Sequence, residues 1–178
     1  IPRLQPSNKL RFLAAAYGIF SLLYIFAGHV HLTEPTELPF GPVDEALSLV
    51  DWTLFIYMSQ LCILASPFVL HNDYRSMNET VYAMLIATAL AFVVFMAFPT
   101  TLPRTSLSPA PWLAELYAHL HVLDQPVNCF PSLHVALAQL AWTTYLRSRG
   151  RRLLIVGLWA QLITVSTITT KQHYAIDV

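Results

Sequence analysis

Two histidines and one aspartate have residue types and spacings that could support chemistry at phosphorus. His173 and Asp177 are four residues apart in KQHYAIDV, so on a helix their side chains would share one face. A carboxylate beside a histidine fixes its tautomer and stabilises its charged form, and such a histidine can attack phosphorus. His134, in FPSLHVA, could then protonate the leaving oxygen. The sequence therefore predicts His173, Asp177 and His134 as catalytic residues.

Groups that could hold a phosphate come from the same part of the sequence. Arg104 follows a long apolar stretch, Ser132 stands at the predicted start of a helix, and Lys171 precedes His173 by two residues. Helix N-termini, cationic side chains and hydroxyl groups stabilise phosphate oxygens and their developing charge. Arg104, Ser132 and Lys171 are therefore predicted to bind phosphate. Because these groups supply positive charge, neither a metal ion nor another cofactor is expected.

Two His-x-His pairs, His29/His31 and His119/His121, suggest metal binding as an alternative use of histidine. Residues two apart do not share a helix face, and no third ligand is evident near either pair. Histidines at a membrane interface are therefore the preferred interpretation of both pairs.

The composition predicts that these residues are carried by membrane-spanning helices. The chain has 178 residues, of which 56% are hydrophobic and 11% charged, about half the charged fraction of a soluble domain. Its formal net charge is zero, so nothing indicates a nucleic-acid partner. A membrane-spanning helix needs about 20 apolar residues. The stretches long enough are Phe12–Val30, Trp52–Leu70, Thr80–Phe98 and Leu153–Thr170.

Two further segments complete the predicted bundle. The shorter apolar stretch Pro131–Leu146 is counted as a fifth span, and KQHYAIDV as the beginning of a sixth. The predicted fold is therefore all-α, a polytopic transmembrane helical bundle of about six spans in a single domain, residues 1–178. Because Asp177 lies so close to the last residue, we expect the native protein to continue with the remainder of that span.

The basic residues predict the orientation in the membrane. With a cytoplasmic N-terminus, all of the ten basic residues except Arg104 and Lys171 fall on the inner side, as the positive-inside rule requires. The histidines of both motifs and Asp177 then lie at the non-cytoplasmic face. In the outer loop, PWLAELYAHLHVLDQ has apolar residues at helical spacing and predicts a short amphipathic helix in the interface.

FPSLHVA and STITTKQHYAID resemble the second and third motifs of the type 2 phosphatidic acid phosphatase (PAP2) superfamily. The residues that match these two motifs are Pro131, Ser132, His134, Ser166, His173 and Asp177. Arg104 matches the arginine of the first motif. The positions that depart from the family pattern are Ala97, Thr105, Leu133 and Thr167, where the family has lysine, proline, glycine and arginine.

This resemblance implies a membrane enzyme that acts on a lipid phosphate, with His173 as nucleophile and His134 as general acid. The segments FPTTLPR, FPSLH and HY-x2-D are similar in sequence to those of the branch that includes inositolphosphorylceramide synthases and bacterial relatives. Members of that branch can pass the phosphoryl group with its headgroup to an alcohol. Hydrolysis, headgroup transfer and non-catalytic binding of a lipid phosphate all stay open. Phosphatidate, isoprenyl phosphates and inositol phospholipids are the candidate ligands.

Overall fold

A computed structural model of the chain describes residues 8–70, 73–103, 108–146 and 150–178. The predicted all-α class is confirmed, with 69% of residues in helices and 3% in strands. Within the described residues, four helical stretches are long and apolar enough to cross a membrane. These are helix α1 (Lys9–His29), the stretch Asp51–Leu70, helix α5 (Tyr74–Ala97) and helix α8 (Arg151–Thr169).

The second of these stretches is not one continuous helix. It consists of a 3-10 turn (Asp51–Thr53), helix α3 (Leu54–Met58) and helix α4 (Gln60–Leu70), which Ser59 separates from α3. The Ser59 hydroxyl donates to the Ile56 carbonyl at 2.6 Å, a local bond that competes with the helical pattern. It also accepts a hydrogen bond from Trp159 Nε1 of α8 at 2.7 Å, which holds the break against that helix.

The predicted fifth span is a shorter helix inside the bundle. Helix α7 (Leu133–Thr143) has 11 residues and is about 16 Å long, well below the thickness of a hydrocarbon core. It packs against α4, α5 and α8. Its buried residues include Ala138 and Ala141, whose small side chains allow close packing of these helices. Helix α7 runs antiparallel to α8, with His134 beside His173 at the end of α8 and Trp142 against Gly157 nearer its start. Its 11 helical residues cover only part of the predicted span Pro131–Leu146.

The predicted sixth span is absent from the described residues, because 170–178 forms turns instead of a helix. Helix α8 ends in a Schellman motif, in which Lys171 N–H donates to Ile168 O at 3.0 Å and Gln172 N–H to Thr167 O at 3.1 Å. Lys171 has the left-handed backbone conformation that this motif requires, with φ of 59°. The chain therefore reverses over the end of α8.

Outside the spans, the structure confirms one predicted helix and adds an unpredicted strand pair. Helix α6 (Pro111–Leu123) corresponds to PWLAELYAHLHVLDQ, and it buries Leu113 and Tyr117 in a cluster with Leu54 and Tyr57. Strands β1 (Thr36–Glu37) and β2 (Thr100–Thr101) pair in parallel. Between β1 and the 3-10 turn lies the short helix α2 (Pro42–Ala46). These elements cover the end of the bundle where α7 begins and α8 finishes.

The contact between α7 and α8 generates a prediction about stability. A Cβ atom at Gly157 would lie 2.6 Å from Trp142 Nε1, which donates to Leu153 O at 3.0 Å. Gly157→Ala should therefore displace the indole and destabilise the fold by about 1–3 kcal/mol, a typical cost of overpacking. Thermal unfolding in detergent, followed by circular dichroism, would measure the change.

Gly18→Ala is the matched control, because a Cβ at Gly18 of α1 meets nothing within 4 Å. Alanine favours a helix over glycine, so this control should unfold at the wild-type temperature or slightly above it. Equal unfolding temperatures for the two variants would contradict the close approach of α8 to α7.

Candidate active site

The predicted pairing of His173 with Asp177 is present, although the two residues lie in a turn rather than on a helix. His173 Nδ1 is 3.0 Å from Asp177 Oδ2, and their side chains are 8% and 0% exposed. Asp177 N–H donates to Tyr174 O at 3.2 Å, which closes the turn. With Nδ1–H directed at the carboxylate, His173 Nε2 is left to react. It lies 3.3 Å from Ser132 Oγ.

Backbone hydrogen bonds join this turn to the two helices beside it. Ser132 N–H donates to Asp177 O at 3.1 Å, and His173 N–H donates to Thr167 O at 3.0 Å. Ser132 is also the N-cap of α7, where its hydroxyl accepts from Val135 N–H at 3.4 Å. The Ser132 side chain therefore lies between the first amides of α7 and His173 Nε2. This is the position expected of a residue that binds a phosphate.

His134 lies in the first turn of α7, beside His173. The centroids of the two imidazole rings are 5.8 Å apart, and the rings are inclined by 63°. On its other side, His134 stacks on Tyr57, with a centroid separation of 4.3 Å and an angle of 24°. The predicted general acid and nucleophile are thus close enough to act on one substrate.

A second carboxylate, which the sequence did not predict, lies on the His134 side. Asp124, which caps the C-terminus of α6, accepts a hydrogen bond from Tyr57 Oη at 2.8 Å and another from Tyr24 Oη. Tyr57 Oη also lies 3.5 Å from His134 Nδ1. In the sequence, Asp124 is 67 positions from Tyr57 and 100 positions from Tyr24. Tyr57 is 77 positions from His134. No local sequence pattern could have indicated these contacts.

A cavity of about 230 Å³ adjoins His134. Its wall is mostly apolar, with Asp124 and Gln60 as polar members. A smaller apolar cavity of about 60 Å³ shares Phe20, Leu64 and Leu137 with it and extends between α1 and helices α4 and α5. The space on the His134 side of the site could therefore accommodate an organic group with a hydrocarbon portion.

Lys171 contacts the outer loop in this structure. Its ammonium donates to the carbonyls of Asp44 and Leu47, at 2.9 and 2.5 Å. The buried Asp44 carboxylate accepts from Ala175 N–H at 2.8 Å and Gly41 N–H at 3.0 Å. Segment 41–47 is therefore fastened to the turn that carries His173. The predicted phosphate contact of Lys171 stays a prediction.

Arg104 lies outside the described residues, so its predicted phosphate contact also stays a prediction. Among the described residues before it, Leu102 is buried in one cluster with Cys129 and Tyr174. Ser166, which matches the third motif, donates to Ile163 O at 2.7 Å within α8. Its role in the described structure is therefore a local helix contact.

Tyr174 adds no charge beside His173. Burial raises the pKa of its hydroxyl above the ordinary value, and the carboxylates of Glu37 and Asp44 raise it further. The phenol therefore stays protonated at neutral pH. The Tyr174 ring packs edge-on against Phe40, with 5.3 Å between the ring centroids. Phe40 thereby covers the outer side of the turn.

The two His-x-His pairs do not form a metal centre in the part of the chain that the structure describes, where no three His, Cys, Asp or Glu side chains are grouped to hold a metal ion. Instead, Nδ1 of His29 and of His119 each lies 2.8 Å from a carbonyl of its own helix, on Ile25 and Glu115.

The fold and site together define a helical membrane protein with a buried His–Asp pair, a second histidine and a helix N-terminus at one end of the bundle. The family model described as the PAP2 superfamily matches residues 36–178, a range that contains both histidines and Asp177. The chain therefore belongs to the PAP2 superfamily, and this membership indicates an integral membrane enzyme of the phosphatase type. The match does not distinguish the branch that resembles inositolphosphorylceramide synthases. No curated protein and no solved structure matches the chain significantly.

Lys171 could fasten the outer loop or bind a phosphate, and substitutions can distinguish these two roles. Lys171→Gly keeps the left-handed backbone, which glycine favours, and removes the ammonium from the outer loop. We expect amide hydrogen exchange of residues 41–47, measured by mass spectrometry in detergent, to accelerate about tenfold, because charge-assisted hydrogen bonds stabilise by roughly 1.5–3 kcal/mol.

Lys171→Met is the companion variant, since it keeps the aliphatic stem and loses only the ammonium. Both variants should show the faster exchange. Unchanged exchange together with a raised KM for the substrate would contradict the fastening role and would favour a direct phosphate contact.

Proposed function

We propose that this protein is a membrane-embedded phosphohydrolase or phosphotransferase that acts on a lipid phosphate through a phosphohistidine intermediate. The observation that carries the proposal is the directed geometry of His173, whose Nδ1 pairs with Asp177 at 3.0 Å while Nε2 faces Ser132 at 3.3 Å. An imidazole held in this way has one nitrogen committed to a carboxylate and the other free to attack. Membership in the PAP2 superfamily supports phosphorus as the atom attacked.

In the first step, the lone pair of His173 Nε2 attacks phosphorus and the bond from phosphorus to the lipid oxygen breaks. His134, protonated at the outset, gives its proton to that oxygen, so the lipid alcohol leaves neutral. The Asp177 carboxylate stabilises the positive charge that develops on His173. The product is a phosphorylated His173 and a neutral His134.

In the second step, an acceptor oxygen attacks phosphorus and the bond to His173 Nε2 breaks. His134 now removes the proton from the acceptor, which restores the starting protonation of both histidines. Water as acceptor gives a phosphatase, whereas a lipid alcohol gives a transferase. The same residues serve both reactions, and the acceptor distinguishes them.

Ser132 and Arg104 complete the proposed site as phosphate-binding residues, and Lys171 would join them if its ammonium exchanged the carbonyls of Asp44 and Leu47 for the phosphate. The Ser132 position supports this role best, because its hydroxyl lies at the N-terminus of α7 and within 3.3 Å of the attacking nitrogen. Amides at a helix N-terminus stabilise an anion and the charge that develops on it during transfer.

The proposed location of the reaction is the non-cytoplasmic face of the membrane, with the N-terminus in the cytoplasm. The distribution of basic residues supports this orientation. The substrate phosphate would lie at the interface beside His173. Its hydrocarbon chain would remain in the bilayer or enter the cavities beside His134 and α1.

The test is phosphorus-31 NMR on the purified protein in detergent, supplied with phosphatidate, an isoprenyl diphosphate, or an inositol phospholipid with ceramide or diacylglycerol. We expect the wild type to convert at least one substrate and His173→Ala to lose about 10³-fold or more of that rate, because no other group replaces the nucleophile. Inorganic phosphate as product would identify a phosphatase, and a new phosphodiester would identify a transferase.

His119→Ala is the matched control, because this histidine is exposed on α6, where its Nδ1 contacts a carbonyl of its own helix. It should retain the wild-type rate. If His173→Ala matched the wild type on every substrate, the proposed mechanism would be wrong and non-catalytic binding of a lipid phosphate would replace it.

A further inference from the structure

The two histidines of the site are held by similar arrangements. His173 Nδ1 meets the carboxylate of Asp177 directly. His134 Nδ1 meets the Tyr57 hydroxyl at 3.5 Å, and that hydroxyl meets the carboxylate of Asp124 at 2.8 Å. In both cases Nδ1 contacts a carboxylate, directly or through a hydroxyl, so Nε2 of each imidazole is the nitrogen left for a substrate.

The hydroxyl of Tyr57 fixes the direction of these bonds. A phenol has one proton to donate, and in Tyr57 that proton points to Asp124 Oδ2. The phenol oxygen can then accept from His134 Nδ1–H, which selects the tautomer with Nε2 free. The contact of 3.5 Å is long, and catalytic hydrogen bonds of this length can shorten when a substrate binds.

The placement of Asp124 is unfavourable for the helix that carries it. It caps the C-terminus of α6, where the helix dipole disfavours a negative charge. Both of its carboxylate oxygens accept hydrogen bonds from tyrosines of the spans, Tyr24 and Tyr57. The carboxylate is therefore held toward the bundle, on the side of Tyr57 and His134.

Tyr57 also contacts His134 through its ring face. The two rings stack at 4.3 Å, and the buried tyrosine is anchored at its hydroxyl by Asp124. An aromatic face stabilises a protonated imidazole, and a packed ring restricts its rotation. A general acid needs both properties, because it must carry its proton and present it at one position.

We infer that Asp124, acting through Tyr57, positions His134 as the general acid for the departing alcohol. This inference rests on the proposed function, since it assigns residues to one step of that reaction. Asp124 and Tyr57 are positioning residues: they hold the imidazole and its proton, whereas His173 and Asp177 supply the attack on phosphorus.

The experiment compares two phosphate esters that differ in their need for an acid. Dodecyl phosphate releases an alkoxide that must be protonated, whereas 4-nitrophenyl phosphate releases a weakly basic phenolate that leaves unaided. Release of the alcohol from each ester is measured with the purified full chain in detergent. The variants are Asp124→Asn, which keeps the side-chain size, and Tyr57→Phe, which keeps the stacked ring.

We expect each variant to lose about tenfold or more in kcat/KM on dodecyl phosphate and to stay within about twofold of wild type on 4-nitrophenyl phosphate, since general acid catalysis contributes roughly 10²–10⁴-fold when complete. The ratio of the two activities, taken on one preparation, does not depend on how much of the protein is folded. It therefore reports a change that a purely structural role would not produce.

Tyr117→Phe is the matched control, because Tyr117 is buried in the same cluster as Tyr57, with each residue 2% exposed. Its hydroxyl donates to Asp51 O, and it should leave the activity ratio unchanged. Equal losses on both esters, or no loss on either, in Asp124→Asn and Tyr57→Phe would overturn the inference. Failure of the wild type to release either alcohol, or full activity in His173→Ala, would instead overturn the proposed function on which it rests.

Discussion

The site depends on a buried carboxylate that is paired with one imidazole. Removing the Asp177 carboxylate from water is costly unless a partner compensates for the loss of hydration, and His173 Nδ1 at 3.0 Å is that partner. The other carboxylate oxygen, Oδ1, is buried with no hydrogen-bond partner among the residues that the structure describes. The charge of Asp177 therefore acts mainly on His173, where it can stabilise the imidazole as positive charge develops during attack.

This pairing constrains the surrounding backbone. For His173 and Asp177 to meet in a turn, α8 has to end abruptly, and the left-handed residue Lys171 ends it. The turn is then held from two sides, by Ser132 N–H on Asp177 O and by Ala175 N–H on the Asp44 carboxylate. The short helix α7 and the outer loop are thus both required to define the position of the two side chains.

The sequence predicted the parts of the fold and site that local patterns encode. Long apolar stretches located the four spanning helices, and the FPSLH and HYAID segments located His134, His173 and Asp177. Hydropathy did not predict the length of α7, which has 11 helical residues within the predicted span Pro131–Leu146. A spacing of four residues is compatible with a turn as well as with a helix, so it did not predict that His173 and Asp177 pair in a turn. Asp124 could not be found, because its tyrosine partners come from helices distant in sequence.

The most direct measurement for the central claim is the detection of phosphate on the enzyme during turnover. Purified protein would react briefly with phosphatidate carrying labelled phosphate, and the reaction would be stopped in alkali, where a phosphohistidine survives. Peptide mass spectrometry would then locate the label. We expect labelled phosphate on His173, which is lost in His173→Ala and discharged on longer incubation. Product release without any protein-bound phosphate, or label on a residue other than His173, would contradict it.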